Sequence, residues 1–159
     1  MNYLTEFYCL VANQFVATWH SHHPDATIIV RDLANTPLAH LDAQRVPAFF
    51  AQPEARTTEQ HAFVDVPDTL IAEIKQADVI IIGLPMYNFG IPSTLKAYFD
   101  HIARAGITFK YTEGGSVGLL SGKKVMLFAT RGGNVCRNSV RYSNQLCAEL
   151  PQFSGYNRY

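Results

Sequence analysis

A chain of 159 residues has room for one domain with one sizeable core and not for two. Apolar residues make up 48% and charged residues 16%, and 13 Lys+Arg against 13 Asp+Glu leave no net charge, which argues against a generally basic nucleic-acid binder. The balance is uneven: from Arg131 onward four Arg face one acid, Glu149 (+3), and the residues before it carry nine bases and twelve acids (−3). No apolar run approaches the ~20 residues of a membrane span, and the N-terminus lacks a basic-then-apolar leader pattern. Cys9, Cys136 and Cys147 are odd in number with no CxxC pair. That points away from a disulfide scaffold or structural zinc and toward a reducing cytoplasm.

In chain order, Val11, Phe15 and Trp19 are spaced by four and mark one face of a helix over Leu10–Trp19. His20, His22 and His23 follow, at the wrong spacing for an i, i+4 ligand pair, and read as a solvated helix end suited to the negative dipole. Ala26–Val30 is a β-branched run expected to form a strand that leaves into Arg31-Asp32-Leu33. Asn35 to about Gln60, with Pro37, Pro47 and Pro53, is a long connection with room for one helical turn. Such connections usually border a site or an interface. Asp65 is placed to cap a helix over Pro67–Gln76 with Leu70, Ile71 and Ile74 as its stripe. Val79-Ile80-Ile81-Ile82 does not alternate, so both faces of this strand are buried, as in parallel sheets with helices on both sides. Ser93 or Thr94 opens the next helix, with Leu95, Tyr98, Phe99 and Ile102 buried and Gly106 ending it. Ile107–Tyr111 alternates ahead of Gly114-Gly115, a small ribbon or hairpin. After a turn at Gly122, Lys123–Thr130 is a second apolar strand. Strands 27–31, 78–83 and 123–130 are thus expected in one parallel sheet of a doubly wound α/β domain spanning 1–159.

Ligands of such folds bind where strands end at the carboxyl edge. Two loops fall there, Leu84–Pro92 and Thr130-Arg131-Gly132-Gly133. A planar cofactor could lie between them. Backbone N–H groups of the first loop would meet its edge, Asn88 offers a donor and an acceptor, and Tyr87 and Phe89 offer apolar contact. Gly132 and Gly133 permit close backbone approach. By spacing alone the same loops could equally be turns that plug a core.

The run from Gly83 to Phe109, GLPMYNFGIPSTLKAYFDHIARAGITF, followed by Lys110–Glu113, Gly122–Lys124 and Arg131–Gly133, resembles the FMN-dependent NADH azoreductases, which belong with the NAD(P)H quinone oxidoreductases of flavodoxin-like fold. Phe15, Trp19, His23–Ala26 and Arg31–Leu33 fit the same pattern, so the resemblance covers about residues 10–133. It implies that Met86, Tyr87, Asn88 and Phe89 hold the isoalloxazine ring, with Thr130, Arg131, Gly132 and Gly133 as the second flavin loop, where the family often has Ser in place of Thr130. It implies that Phe109 and Tyr111 cover the flavin from a partner subunit, so the expected state is a homodimer with the site at its interface. The implied reaction takes hydride from NADH to FMN and on to a quinone or azo bond, with no metal, nucleic acid or membrane involved. The cofactor supplies this chemistry, so no side chain is assigned as nucleophile, acid or base. Arg131 is either a tuner of the reduced ring's charge or a structural ion-pair partner. The Met86–Phe89 loop fits the FMN group better than the FAD-using quinone reductases.

The resemblance stops at both ends. The family opens with a buried strand and a Ser-rich phosphate loop, and Met1–Cys9 matches neither. Asn134–Tyr159 is a divergent tail that matches neither the last strand nor the closing helix. The expectation is a flavodoxin-like sheet lacking its first strand and its last. Two functions follow: a flavin reductase, favoured by the ring loops, or a truncated, non-catalytic remnant or interaction protein without stable FMN binding, favoured by the missing phosphate loop.

Overall fold

The computed structural model describes residues 3–130, with side chains from Ala12 onward. In chain order these form helix α1 (Tyr3–His22), short helix α2 (Val46–Phe50), a 3-10 turn (Pro53–Ala55), helix α3 (Thr58–Gln76), strand β1 (Val79–Pro85), helix α4 (Ser93–Ile102), strands β2 (Phe109–Thr112) and β3 (Gly115–Gly118), and strand β4 (Lys124–Thr130).

The two uninterrupted apolar runs pair in parallel, in register from Val79↔Lys124 to Pro85↔Thr130. Side chains alternate across a strand, and register partners share a face, which separates the layers. Phe128, opposite Gly83, meets Phe15 of α1 with ring centroids 5.2 Å apart. Leu84 faces the other way and forms a cluster with Leu95 and Phe99 of α4, against which Ile82 and Leu33 pack. Helices therefore pack on both faces, although burial is incomplete: Val79–Ile82 are half-buried and Leu127 is 37% exposed. The Ile107–Gly115 segment becomes the antiparallel hairpin β2–β3, with Phe109 opposite Gly118 and Thr112 opposite Gly115. Gly115 at φ +113° and Gly122 at φ +73° supply backbone that a Cβ would strain.

Three expectations need correction. The 27–31 run is not a strand. Strand propensity becomes a strand only when a ladder partner lies alongside, and among the described residues β1 pairs with β4 alone. The run is instead held at its end by Arg31, whose Nε donates to Glu73 Oε2 at 2.9 Å while its Nη2 pairs with Oε1. The hydrogen bond to Glu73 also raises the guanidinium's pKa. Ile29 and Val30 lie exposed, Val30 at 73%. The second correction is α3, which starts nine residues before Pro67. Thr57 accepts from the Gln60 amide at 3.2 Å and the Gln60 side chain accepts from the Thr57 amide at 3.0 Å, a reciprocal capping box. Asp65 is therefore mid-helix, its carbonyl accepting from Thr69 Oγ1 at 2.8 Å, and Pro67 is buried inside the helix. Third, α4 closes at Ile102, and Gly106 serves the next turn at φ +80°.

At the opposite end of α3, buried Lys123 donates through Nζ to the Lys75 and Ala77 carbonyls, each at 2.8 Å. These are carbonyls a helix end leaves unpaired, and the contact ties α3 to the start of β4.

Candidate functional site

Pro85 and Thr130 are register partners, so both candidate loops leave the sheet at the same step. The Met86 N–H then donates to the Thr130 carbonyl at 2.9 Å, which joins the loops at their roots. Beyond Met86 the chain turns back at once. Tyr87 and Gly90 exchange reciprocal N–H···O bonds, each 2.9 Å, and the two residues between them are left-handed, Asn88 at φ +48° and Phe89 at φ +64°. Positive φ at both central positions is the pattern of a type I′ turn. Asn tolerates it, whereas Phe is a genuine outlier.

The turn has a chemical consequence. Met86, Tyr87 and Gly90 spend their N–H groups inside the protein, while those of Asn88 and Phe89 bond to no other described residue. Neither does the Asn88 side chain, so the tip offers three adjacent polar groups. They sit at the carboxyl edge of a parallel sheet, where such folds take ligands. Met86 is half-buried, Tyr87 and Asn88 are exposed, and Phe89 is 66% exposed.

The structure thus brings Met86 and Thr130 together and sets Tyr87, Asn88 and Phe89 on the turn above them. Phe109 and Tyr111 meet each other on the hairpin, edge to face at 5.2 Å and 85°, with Tyr111 76% exposed. Arg131, Gly132 and Gly133, and the tail 134–159 with Cys136 and Cys147, lie outside the described residues.

Two buried polar residues near the end of α4 escaped the sequence reasoning. His101 is buried against Phe63, its Nε2 donating to the Ala39 carbonyl at 2.8 Å. Arg104 is buried beside Asp68 and Phe49. The available signal for His101 was its place four residues after Ala97, with which it shares a buried side of α4; Arg104 lies past the helix end, where no periodicity marks it. Among the described residues, no helix is long and apolar enough to cross a membrane.

A family model described as flavodoxin-like fold matches residues 6–152. An FMN-dependent NADH:quinone oxidoreductase of Cellvibrio japonicus is 58% identical over 123 residues, covering 77% of this chain and 62% of its own. That of Herminiimonas arsenicoxydans is 51% identical over 123 residues, 77% of this chain and 60% of its own. The chain therefore spans about 60% of the length of these relatives. Among solved structures, the azoreductase AzrA superposes with a TM-score of 0.81 at 29% identity, over 95% of this chain and 76% of its own. An FMN-dependent NADH-azoreductase of Bacillus anthracis, solved with FMN bound, gives a TM-score of 0.65 at 33% identity over 76% of this chain and 60% of its own. A sheet with helices on both faces, two loops joined at its carboxyl edge and a family match over nearly the whole chain lead to one conclusion: the chain belongs to the flavodoxin-like fold family.

Proposed function

We propose that this chain is an FMN-dependent NADH:quinone and azo-compound oxidoreductase, working in the cytoplasm as a homodimer. The observation that carries the reading is the turn at Asn88–Phe89, whose N–H groups bond no other described residue and whose root is joined to Thr130 through Met86. A flavin ring is flat, apolar on its faces and rich in acceptors along one edge, and this loop offers matching chemistry. The residues present therefore fit the group. When bound, FMN would supply the hydride chemistry between NADH and a quinone or azo bond.

The chain's own residues have simpler tasks. The Asn88 and Phe89 amides would donate to the acceptor edge of the ring, and the Asn88 side chain would serve both a donor and an acceptor there. Such fixed donors favour negative charge on the ring without reorganising. Tyr87 and Phe89 would exclude water, and Met86 would pack at the loop's root. Thr130, Arg131, Gly132 and Gly133 would form the opposing wall. Phe109 and Tyr111, on the exposed hairpin, would face the electron acceptor, in a homodimer from the partner's side. The names of the relatives support this reading, since they describe FMN-dependent NADH:quinone oxidoreductases and azoreductases.

The test is to mix the purified chain with FMN, pass it through gel filtration and assay NADH-driven quinone reduction. Retained yellow absorbance and turnover are expected. Asn88→Ala should weaken FMN binding by about 1–3 kcal/mol, the cost of leaving a ring group unpaired. Unchanged affinity in that variant would remove this loop from the site. A second reading, a chain without stable FMN binding, draws on the exposed 27–31 run, which joins no strand ladder among the described residues. It predicts colourless protein in the same experiment.

A further inference from the structure

Arg104 carries a charge into the interior, and nothing in the reaction above uses it. Its side chain is 5% exposed. Nη1 donates to Asp68 Oδ1 at 3.2 Å, and the guanidinium carbon stands 4.2 Å from the centre of the Phe49 ring. Burial lowers its pKa, with Asp68 acting in the opposite direction. Only the arginine end of the pair is buried, since the Asp68 side chain is 53% exposed, and such a pair is weak evidence for stability. The backbone at Arg104 gives the buried side chain another role.

The Arg104 carbonyl accepts from the amides of Ile107 at 3.1 Å, Thr108 at 2.9 Å and Phe109 at 3.5 Å. The Arg104 amide donates to Thr108 Oγ1 at 3.0 Å, and that hydroxyl donates to the Ile102 carbonyl at 2.7 Å. The Gly106 amide donates to the Phe109 carbonyl at 2.7 Å. Residues 102–109 therefore close into a knot centred on Arg104, and β2, with Phe109 and Tyr111, starts directly from it. The Arg104 side chain anchors the knot to α3 through Asp68 and to α2 through Phe49.

We infer that Arg104 is a positioning residue for the electron acceptor: its anchored side chain fixes the knot that aims Phe109 and Tyr111. The acceptor's identity rests on the reductase reading above, whereas the geometry does not. A misplaced contact surface weakens acceptance of substrate while leaving the flavin loop, on a different element, intact.

The experiment compares Asp68→Asn, Arg104→Lys and the doubly apolar Arg104→Met/Asp68→Leu, all in the full chain. Two quantities are read: steady-state kinetics with a quinone, and amide exchange of residues 109–118. Asp68→Asn and Arg104→Lys are expected to raise the quinone KM roughly tenfold with kcat within about twofold, a loss of substrate positioning rather than chemistry. FMN retention should be unchanged and hairpin exchange faster. The doubly apolar variant should fold and keep the raised KM, since it removes the anchor without leaving a buried charge unpaired. Unchanged KM and exchange in folded Asp68→Asn and Arg104→Lys would overturn the inference. So would recovery of KM in the doubly apolar variant. Where Arg104 variants fail to fold, Asp68→Asn decides, because Asp68 is 53% exposed on its side chain. Wild-type protein that binds no flavin would sink the reductase reading alone, since hairpin exchange in the same variants, measured without flavin, still decides the positioning role.

Discussion

Phe89 is held against its own backbone preference. A left-handed residue with a Cβ costs about 1–2 kcal/mol, and the reciprocal Tyr87–Gly90 bonds and the Met86–Thr130 link hold it there. Phe89→Gly should therefore be more stable than Phe89→Ala by about 1 kcal/mol, since both lose the ring and only one keeps the strain. Urea unfolding of the two variants checks this, and equal midpoints would mean the turn relaxes at no cost. The strain was not legible in the sequence. Asn88 could be read as a donor and acceptor from its type alone, but Phe-Gly suggests that the glycine takes the unusual conformation, and here it does not. Tyr98, half-buried on α4, carries a second residue-scale expectation. Desolvation first, then the charge of Glu73, raises its phenol to about 12, with Arg31 opposing. The unfolded chain ionises near pH 10 and the folded chain later, so stability is intact below pH 10 and lost as pH climbs toward 12. The loss should reach about 2–3 kcal/mol. Thermal melts across pH 9–12 should show this slope in the wild type and a shallower one in Tyr98→Phe.

Helix α3 shows how an element depends on its first few residues. Its N-terminus is set by Thr57 and Gln60, each bonding the other's amide. Thr57→Ala should cost about 1 kcal/mol and lower the melting midpoint by roughly 2–4 °C. Gln60→Ala should cost less, because it leaves the Thr57 acceptor in place. Calorimetry of both variants tests the order, and a Thr57→Ala protein as stable as the wild type would remove the cap's role. The Thr-x-x-Gln spacing was present in the sequence, but Pro67 drew the helix start toward itself. A proline is most at home in a first turn, yet the stripe of Val64, Leu70, Ile71 and Ile74 buries enough to carry the helix through its missing hydrogen bond. Strands β1 and β4 were legible for the opposite reason. Their apolar runs are uninterrupted, and no competing pattern fits. The 27–31 run was misread because β-branched composition reports local preference, whereas a strand is a property of two chains lying side by side.

At the scale of the whole molecule, helices pack on both faces of the sheet, and among the described residues one edge of β1 has no strand beside it. Helices α1 and α4 pack on opposite sides, while β1, Val79–Pro85, has no charged residue along its length and pairs on one side only among the described residues. A second apolar run, Ile28, Ile29 and Val30, is also exposed. Proteins usually guard such edges with lysines, prolines or bulges, and neither segment has a charge or an interior proline. The net charge of zero adds no long-range repulsion between copies. Together these favour association of chains through this surface during heating or concentration. Ile29→Lys/Val30→Lys places two like charges on it. Exposed positions change fold stability by less than about 0.5 kcal/mol, so the melting midpoint should hold while the onset of aggregation moves to higher temperature. Light scattering and circular dichroism recorded in one heating ramp separate the two quantities. An unmoved scattering onset would place the association surface elsewhere, and a lowered midpoint would mean that Ile29 and Val30 pack more tightly than their exposure implies.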